Sequence, residues 1–166
     1  MVMNTERSGH CSAVIGSRLF VIGGVGLFYE LNDIQSFDTS NLENTWQDHQ
    51  FMYTTRSHHA CQTETFDGQM GIYVTGGYAG QQVTHRVDFY VADLDRWDNV
   101  GYLKNARSYH TMLFIDGKML VAGGYNDDYL QSVETFNGLE WEEIYDLTVA
   151  RGQQAAVSFP AEMITC

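Results

Sequence analysis

The histidines, the cysteines and three Gly-Gly pairs are the residues of this 166-residue chain whose types and spacing could do chemistry. His10, His59 and His110 each stand three residues after an arginine (Arg7, Arg56, Arg107), and His58 precedes His59. Brought to one axis, three imidazoles would form a metal site. The competing arrangement puts one histidine in each of several repeated units, too far apart to share an ion. The lack of paired ligand spacings such as C-x-x-C or H-x-x-x-H favours that second arrangement, so neither metal nor cofactor is expected. Gly23-Gly24-Val25-Gly26 superficially resembles a phosphate cradle, as do Gly76-Gly77 and Gly123-Gly124. No helical pattern follows any of the pairs, and a nucleotide site needs a helix N-terminus there, so their regular spacing argues for close backbone packing. Cys11 beside His10 is no catalytic pair, because adjacent strand residues point to opposite faces. No catalytic residue is expected.

The elements that position these residues repeat. Arg7, Arg56, Arg107 and Arg151 open the segments R-S-G-H, R-S-H-H, R-S-Y-H and R-G-Q-Q, at intervals of 49, 51 and 44 residues. The interval from Trp46 to Arg56, from Trp97 to Arg107 and from Trp141 to Arg151 is 10 residues in every case. Loops drift in length when nothing holds both ends, so this constant span predicts a connector packed at each end. Each unit reads as four strands. A first strand (Tyr109 to Ile115 in the third copy) leads to a tight turn at Asp116-Gly117, with Asp67-Gly68 and Gly16-Ser17 in the same place upstream. An apolar second strand ends in Gly-Gly. A polar loop of about ten residues follows, a length that often carries function. A third strand holds Ile34 and Phe37, Val87 and Tyr90, or Val133 and Phe136, and a fourth carries the tryptophan. Units of this period that stack their sheets radially make a propeller. The tryptophans would fill the wedges between sheets. The repeated arginines would lie on an aromatic face or donate to otherwise orphaned carbonyls.

Charge narrows the partners. Nine Lys plus Arg stand against 21 Asp plus Glu, a formal charge of -12. That argues against a phosphate backbone as partner, so no nucleic acid is expected, and it suits a basic peptide or a neutral ligand. Asp127, Asp128, Glu134, Glu140, Glu142, Glu143 and Asp146 form a stretch without Lys or Arg, expected to be solvated. The odd set of Cys11, Cys61 and Cys166 does not look like a disulfide framework. The N-terminus lacks a basic segment followed by an apolar one, no apolar run approaches membrane-spanning length, and no N-x-S/T sequon occurs. Together these features favour a reduced, cytoplasmic setting without membrane contact.

The register of R-x-x-H, a buried strand ending in Gly-Gly, V-x-x-F/Y and Trp resembles the kelch repeat. The resemblance implies an all-β chain: a partial kelch β-propeller of three four-stranded antiparallel blades plus one extra strand, Gln153 to Phe159. It makes residues 1–166 a single domain, with blades at about 7–53, 56–104 and 107–148 and an incomplete fourth unit at 151–166. Arg7, Gly23, Gly24, Trp46, Arg56, Gly76, Gly77, Trp97, Arg107, Gly123, Gly124, Trp141 and Arg151 are its structural repeat positions. Most kelch propellers bind proteins, as substrate adaptors of Cullin-3 ubiquitin ligases or as actin-associated scaffolds. A minority are enzymes, of the copper-radical galactose oxidase type or sialic-acid mutarotases. Nothing here resembles a BTB or BACK segment. By the same resemblance the loops after Gly-Gly and the Trp-to-Arg connectors form the recognition surface, with Phe28, Tyr29, Tyr78, Tyr125 and Tyr129 as the contacts, because aromatic loop residues give large contact area at low entropy cost. Three blades fall short of a closed ring. The chain is therefore expected to be a fragment of a longer one, or to complete six blades with a second copy through the extra strand.

Overall fold

The computed structural model describes residues 3–41 and 43–157. The first sheet is β1 (Cys11–Ile15), β2 (Arg18–Val25), β3 (Glu30–Asp38) and β4 (Gln47–Asp48), in that spatial order. The second contains β5 (Ala60–Phe66), β6 (Gln69–Thr75), β9 (Arg86–Val91) and β10 (Arg96–Tyr102), and its loop carries the short hairpin β7 (Tyr78–Ala79) and β8 (Gln82–Val83). The third contains β11 (Thr111–Ile115), β12 (Lys118–Ala122), β15 (Ser132–Phe136) and β16 (Trp141–Asp146), with the hairpin β13 (Tyr125–Asn126) and β14 (Asp128–Tyr129) in the same loop. All pairings are antiparallel, and β1, β5 and β11 lie side by side toward a common axis.

Two apolar clusters hold the sheets together. Phe20, Ile22 and Ile34 of the first sheet meet Ile72, Val74, Tyr90 and Trp97 of the second. Tyr73, Val87 and Phe89 on the second sheet's other face meet Met112, Met119, Val121 and Trp141 of the third. Alternation along each strand thus feeds two interfaces, which explains why β6 is apolar without a polar face. Trp97 and Trp141 fill these wedges, while Trp46, which no other sheet covers among the described residues, is half-buried and stacks on Phe37.

The constant ten-residue step is pinned at both ends. Met52, Leu103 and Leu147 each donate their backbone N–H to the preceding loop (Asn32, His85 and Gln131 carbonyls), and Arg56, Arg107 and Arg151 donate theirs to Leu31, Thr84 and Leu130. Gly-Gly is the receiving surface for the next unit. A Cβ at Gly23, Gly76 or Gly123 would come within 2.5, 2.3 or 2.6 Å of the carbonyl oxygen of Arg56, Arg107 or Arg151, closer than any side chain allows. The second glycine's N–H is consumed by that same carbonyl, at 2.7 to 2.8 Å. Close packing, not phosphate, explains the pairs.

The arginines donate to carbonyls, as expected, at Gly23, Gly76 and Gly123. None is stacked on an aromatic face within the repeat. Each is instead paired with a third-strand carboxylate: Asp33, Asp88 and Glu134. Glu134 is fully buried, which corrects the expectation that the acidic stretch of the third copy is solvated. Its oxygens also accept from the Lys104 and Asn105 backbone N–H groups, so a buried guanidinium and a turn both depend on it.

The cysteine expectation is overturned as well. Cys11 and Cys61 form a disulfide between β1 and β5, their Cα atoms 6.0 Å apart. Cys11 pairs with Ile22 and Cys61 with Val74, the faces that meet across the first interface. The two cysteines stand four and five residues after their arginines. That one-residue offset puts them on opposite faces of successive sheets, and those faces look at each other.

Beyond Arg151 the described backbone, through Val157, is irregular rather than strand, and among the described residues no second strand lies beside it to supply hydrogen bonds. The remainder of the expected extra strand, Ser158 and Phe159, lies outside the described residues. Arg151 to Gln154 nevertheless follow the path of the earlier repeats: the Arg151 carbonyl accepts from Gly124, and the Gln153 N–H donates to the Tyr109 carbonyl.

Candidate functional site

One column of the repeat varies while its neighbours stay constant. Two residues after each arginine stand Gly9, His58, Tyr109 and Gln153, within R-S-x-H or its fourth-copy counterpart. All four have left-handed backbone, with φ of 60, 53, 55 and 60 degrees. Three of these are not glycine, and such conformations persist only where the surroundings hold them. Here a chain of backbone hydrogen bonds does so: His58 N–H to Gly9, Tyr109 to His58 and Gln153 to Tyr109, at 2.7 to 2.8 Å. The result is a collar around the axis that turns this variable column outward at one mouth.

Tyrosines gather at that mouth. Tyr78 and Tyr125 occupy the first position after their Gly-Gly pairs and bridge to Ser57 and Ser108 of the collar segments. The Tyr109 ring lies 4.3 Å from the His58 ring and 6.1 Å from the Tyr78 ring, and Tyr125 and Tyr129 meet edge to face at 5.5 Å. Tyr78, Tyr109, Tyr125, Tyr129 and Gln153 line a recess of about 190 Å3. A second, open cavity of about 510 Å3 shares Tyr78 and Tyr125 and adds Gln81, Gln82, Val83, Asn126 and Asp127. Burial, then Tyr78 and Tyr129, push the Tyr109 phenol upward, so it stays neutral. Burial holds His58 below the ordinary histidine value against the pull of Glu30. Glu30 itself accepts from Ser57 Oγ at 2.8 Å and from the Gly80 N–H at 2.6 Å, tying the β7–β8 loop to the first sheet.

Of the five aromatic contacts expected from sequence, Tyr78, Tyr125 and Tyr129 therefore share one site. Phe28 and Tyr29 do not join it. The first copy has Val25 where the others have tyrosine, and its loop instead exposes Leu27, Phe28 and Tyr29 beside Asn4 to Glu6, around a separate cavity of about 350 Å3. Sequence reasoning missed His58, Tyr109 and Gln153, although variation inside a constant motif was their visible signal.

The constant column shares an open cavity of about 340 Å3 with the variable one: His10, His59, His110 and Gln154 line it beside Gly9, His58, Tyr109 and Gln153. His59 and His110 are buried against Gly23 and Gly76 of the preceding unit, and Gln154 sits against Gly123 in the same way. His110 Nε2 meets Thr75 Oγ1 at 2.9 Å, whereas neither ring nitrogen of His59 has a hydrogen-bond partner among the described residues. Burial first, then the neighbouring arginine (Arg56 for His59, Arg107 for His110), lowers each to about 3. The folded chain therefore stays unprotonated where the unfolded chain takes up protons. As pH falls from the ordinary histidine value of 6.5 toward 3, stability is expected to drop by about 1.4 kcal/mol per pH unit for each of these two histidines. Urea midpoints at pH 7 and pH 5 measure this, and His59→Gln, which copies the natural Gln154, is expected to flatten the slope.

Sheets of four antiparallel strands, fastened at their inner edges around an axis and rimmed by loops at one mouth, define a sector of a β-propeller. Comparison with known proteins identifies its kind: a KLHDC2/KLHL20/DRC7 Kelch-repeats domain matches residues 2–155, and the chain belongs to the kelch-repeat family. It is similar to beta-scruin of Limulus polyphemus, 30% identical over 133 residues, covering 74% of this chain and 14% of that protein. It is also similar to kelch-like protein 15 of Mus musculus, 26% identical over 162 residues, covering 83% of this chain and 26% of that one. The chain thus spans about a quarter or less of the length of these relatives. Among solved structures, that of YjhT superposes with a TM-score of 0.70 at 15% identity, over 88% of this chain and 53% of that one, which shows the shared fold.

Proposed function

We propose that this chain is a peptide- or protein-binding kelch module whose recognition surface is the tyrosine-lined axial mouth. The observation that carries this reading is the collar. Four equivalent left-handed positions hold the variable residues Gly9, His58, Tyr109 and Gln153 outward, next to Tyr78, Tyr125 and Tyr129, on a frame whose other repeat positions serve packing. Tyrosines concentrated at a recess are the residue type that dominates binding energy at interfaces. The similarity to kelch-like and scruin proteins supports protein partners in general. The Cys11–Cys61 bond favours an oxidising setting over the reducing cytoplasm expected from the cysteine count together with the N-terminal pattern and the missing sequon.

Selection of a random peptide library on the purified chain tests this reading. Enriched peptides are expected to lose at least about tenfold in affinity for Tyr109→Ala and for Tyr129→Ala, in line with the loss of a buried aromatic anchor. They are expected to bind Phe28→Ala within about twofold of wild type, since a residue outside an interface contributes little. Peptides that ignore both tyrosine variants and fail on Phe28→Ala would move the site to the first loop.

A further inference from the structure

We propose that the tyrosine recess receives a cationic side chain, arginine foremost, from the bound peptide; this rests on the mouth being the recognition surface. Aromatic walls alone would suit an apolar side chain equally well. Three observations decide for a cation. First, the walls are faces and edges of four tyrosines around about 190 Å3, room for a single long side chain, and ring faces attract a cation through their quadrupole. Second, the hairpin that carries Tyr125 and Tyr129 places Asp127 and Asp128 between them, and Asp127 lines the adjoining cavity that shares Tyr78 and Tyr125. Neither cavity is lined by Lys or Arg, and the chain's formal charge of -12 sets an attractive field for a cation. Third, the molecule already uses this chemistry internally: the Arg86 guanidinium sits 5.5 Å from the centre of the Tyr53 ring.

Gln153 adds an uncharged amide at the recess edge, a carbonyl oxygen suited to accept from a guanidinium and an N–H2 that carries no opposing charge. His58, held neutral by burial, does not oppose a cation either. An acidic or phosphorylated side chain would meet Asp127 at a cavity whose lining holds no Lys or Arg.

The test titrates isotope-labelled protein with three capped pentapeptides that differ only in the central side chain: arginine, its neutral isostere citrulline, and norleucine. The arginine peptide is expected to bind about tenfold more tightly than either of the others, with the largest amide shifts at Tyr109, Tyr129 and Gln153. Tyr109→Phe, which keeps the ring face, is expected to stay within about threefold of wild type, and Tyr109→Leu to lose about tenfold. Tyr129→Leu, at a side chain 52% exposed, repeats the comparison where folding is not at stake. Citrulline or norleucine matching arginine at the same residues would overturn the cationic class and leave the mouth as a peptide site. Arginine binding with shifts confined to the Phe28 loop, or no binding by any of the three, would overturn it too.

Discussion

Glu134→Ala is expected to destabilise the chain by about 3–5 kcal/mol, the loss typical when one partner of a buried ion pair is removed. The carboxylate and Arg107 are both fully buried, and the arginine also donates to the Gly123 and Ser132 carbonyls. Removing Glu134 strands a guanidinium that cannot reach water and frees the Lys104 and Asn105 N–H groups it caps. The control is Glu140→Ala, in the same acidic stretch. Glu140 meets Lys104 Nζ at 3.1 Å with both side chains at least half exposed, so its loss is expected to cost no more than about 1 kcal/mol. Urea denaturation of the two variants separates these values. Equal effects would mean that the burial of Glu134 is wrong.

Reducing the Cys11–Cys61 bond is expected to cost about 4 kcal/mol, since the bond closes a loop of 50 residues and restricts the unfolded chain accordingly. For a chain of this size that is a fall in Tm on the order of 10 °C. Thermal melts with and without reductant measure it, and Cys61→Ser is expected to reproduce the reduced curve and to abolish its response to reductant. The loss should be local in origin, because the bond fastens the inner strands of the first two sheets and leaves the second interface, between the second and third sheets, untouched. A melt indifferent to reductant would show that the two thiols are not joined.

The sequence carried the fold because its signals are periodic. Asp67-Gly68 and Asp116-Gly117 mark turns wherever they occur, and the ten-residue step from Trp to Arg reflects packing at both ends, which no single copy could reveal. What stayed hidden depends on faces rather than spacing. Asp88 and Glu134 lie two residues before the aromatic of the third strand, whereas the first copy has Gln35 there and takes its carboxylate from Asp33, so no regular column of acids stands out. Glu134 looked solvated because it falls in an acid-rich stretch without Lys or Arg, although its neighbours in space are Arg107 and two backbone N–H groups. The cysteine pair was concealed by its unequal offsets from Arg7 and Arg56, the very feature that turns the two thiols toward each other. At the mouth, Tyr78, Tyr125 and Tyr129 were legible as loop aromatics. Tyr109 and His58 sat inside a motif read as structural, and only the collar shows that their column points outward. Phe28 and Tyr29 share the loop position but not the place, because Val25 opens that loop.

The most direct measurement of the binding account is the affinity of one library-selected peptide for wild type and for Tyr109→Ala, both checked for the same urea midpoint. Because Tyr109 stands between His58 and Tyr78 at the collar, a peptide bound at the mouth should lose at least about tenfold. An unchanged affinity in a fully folded variant would contradict the mouth as the recognition surface.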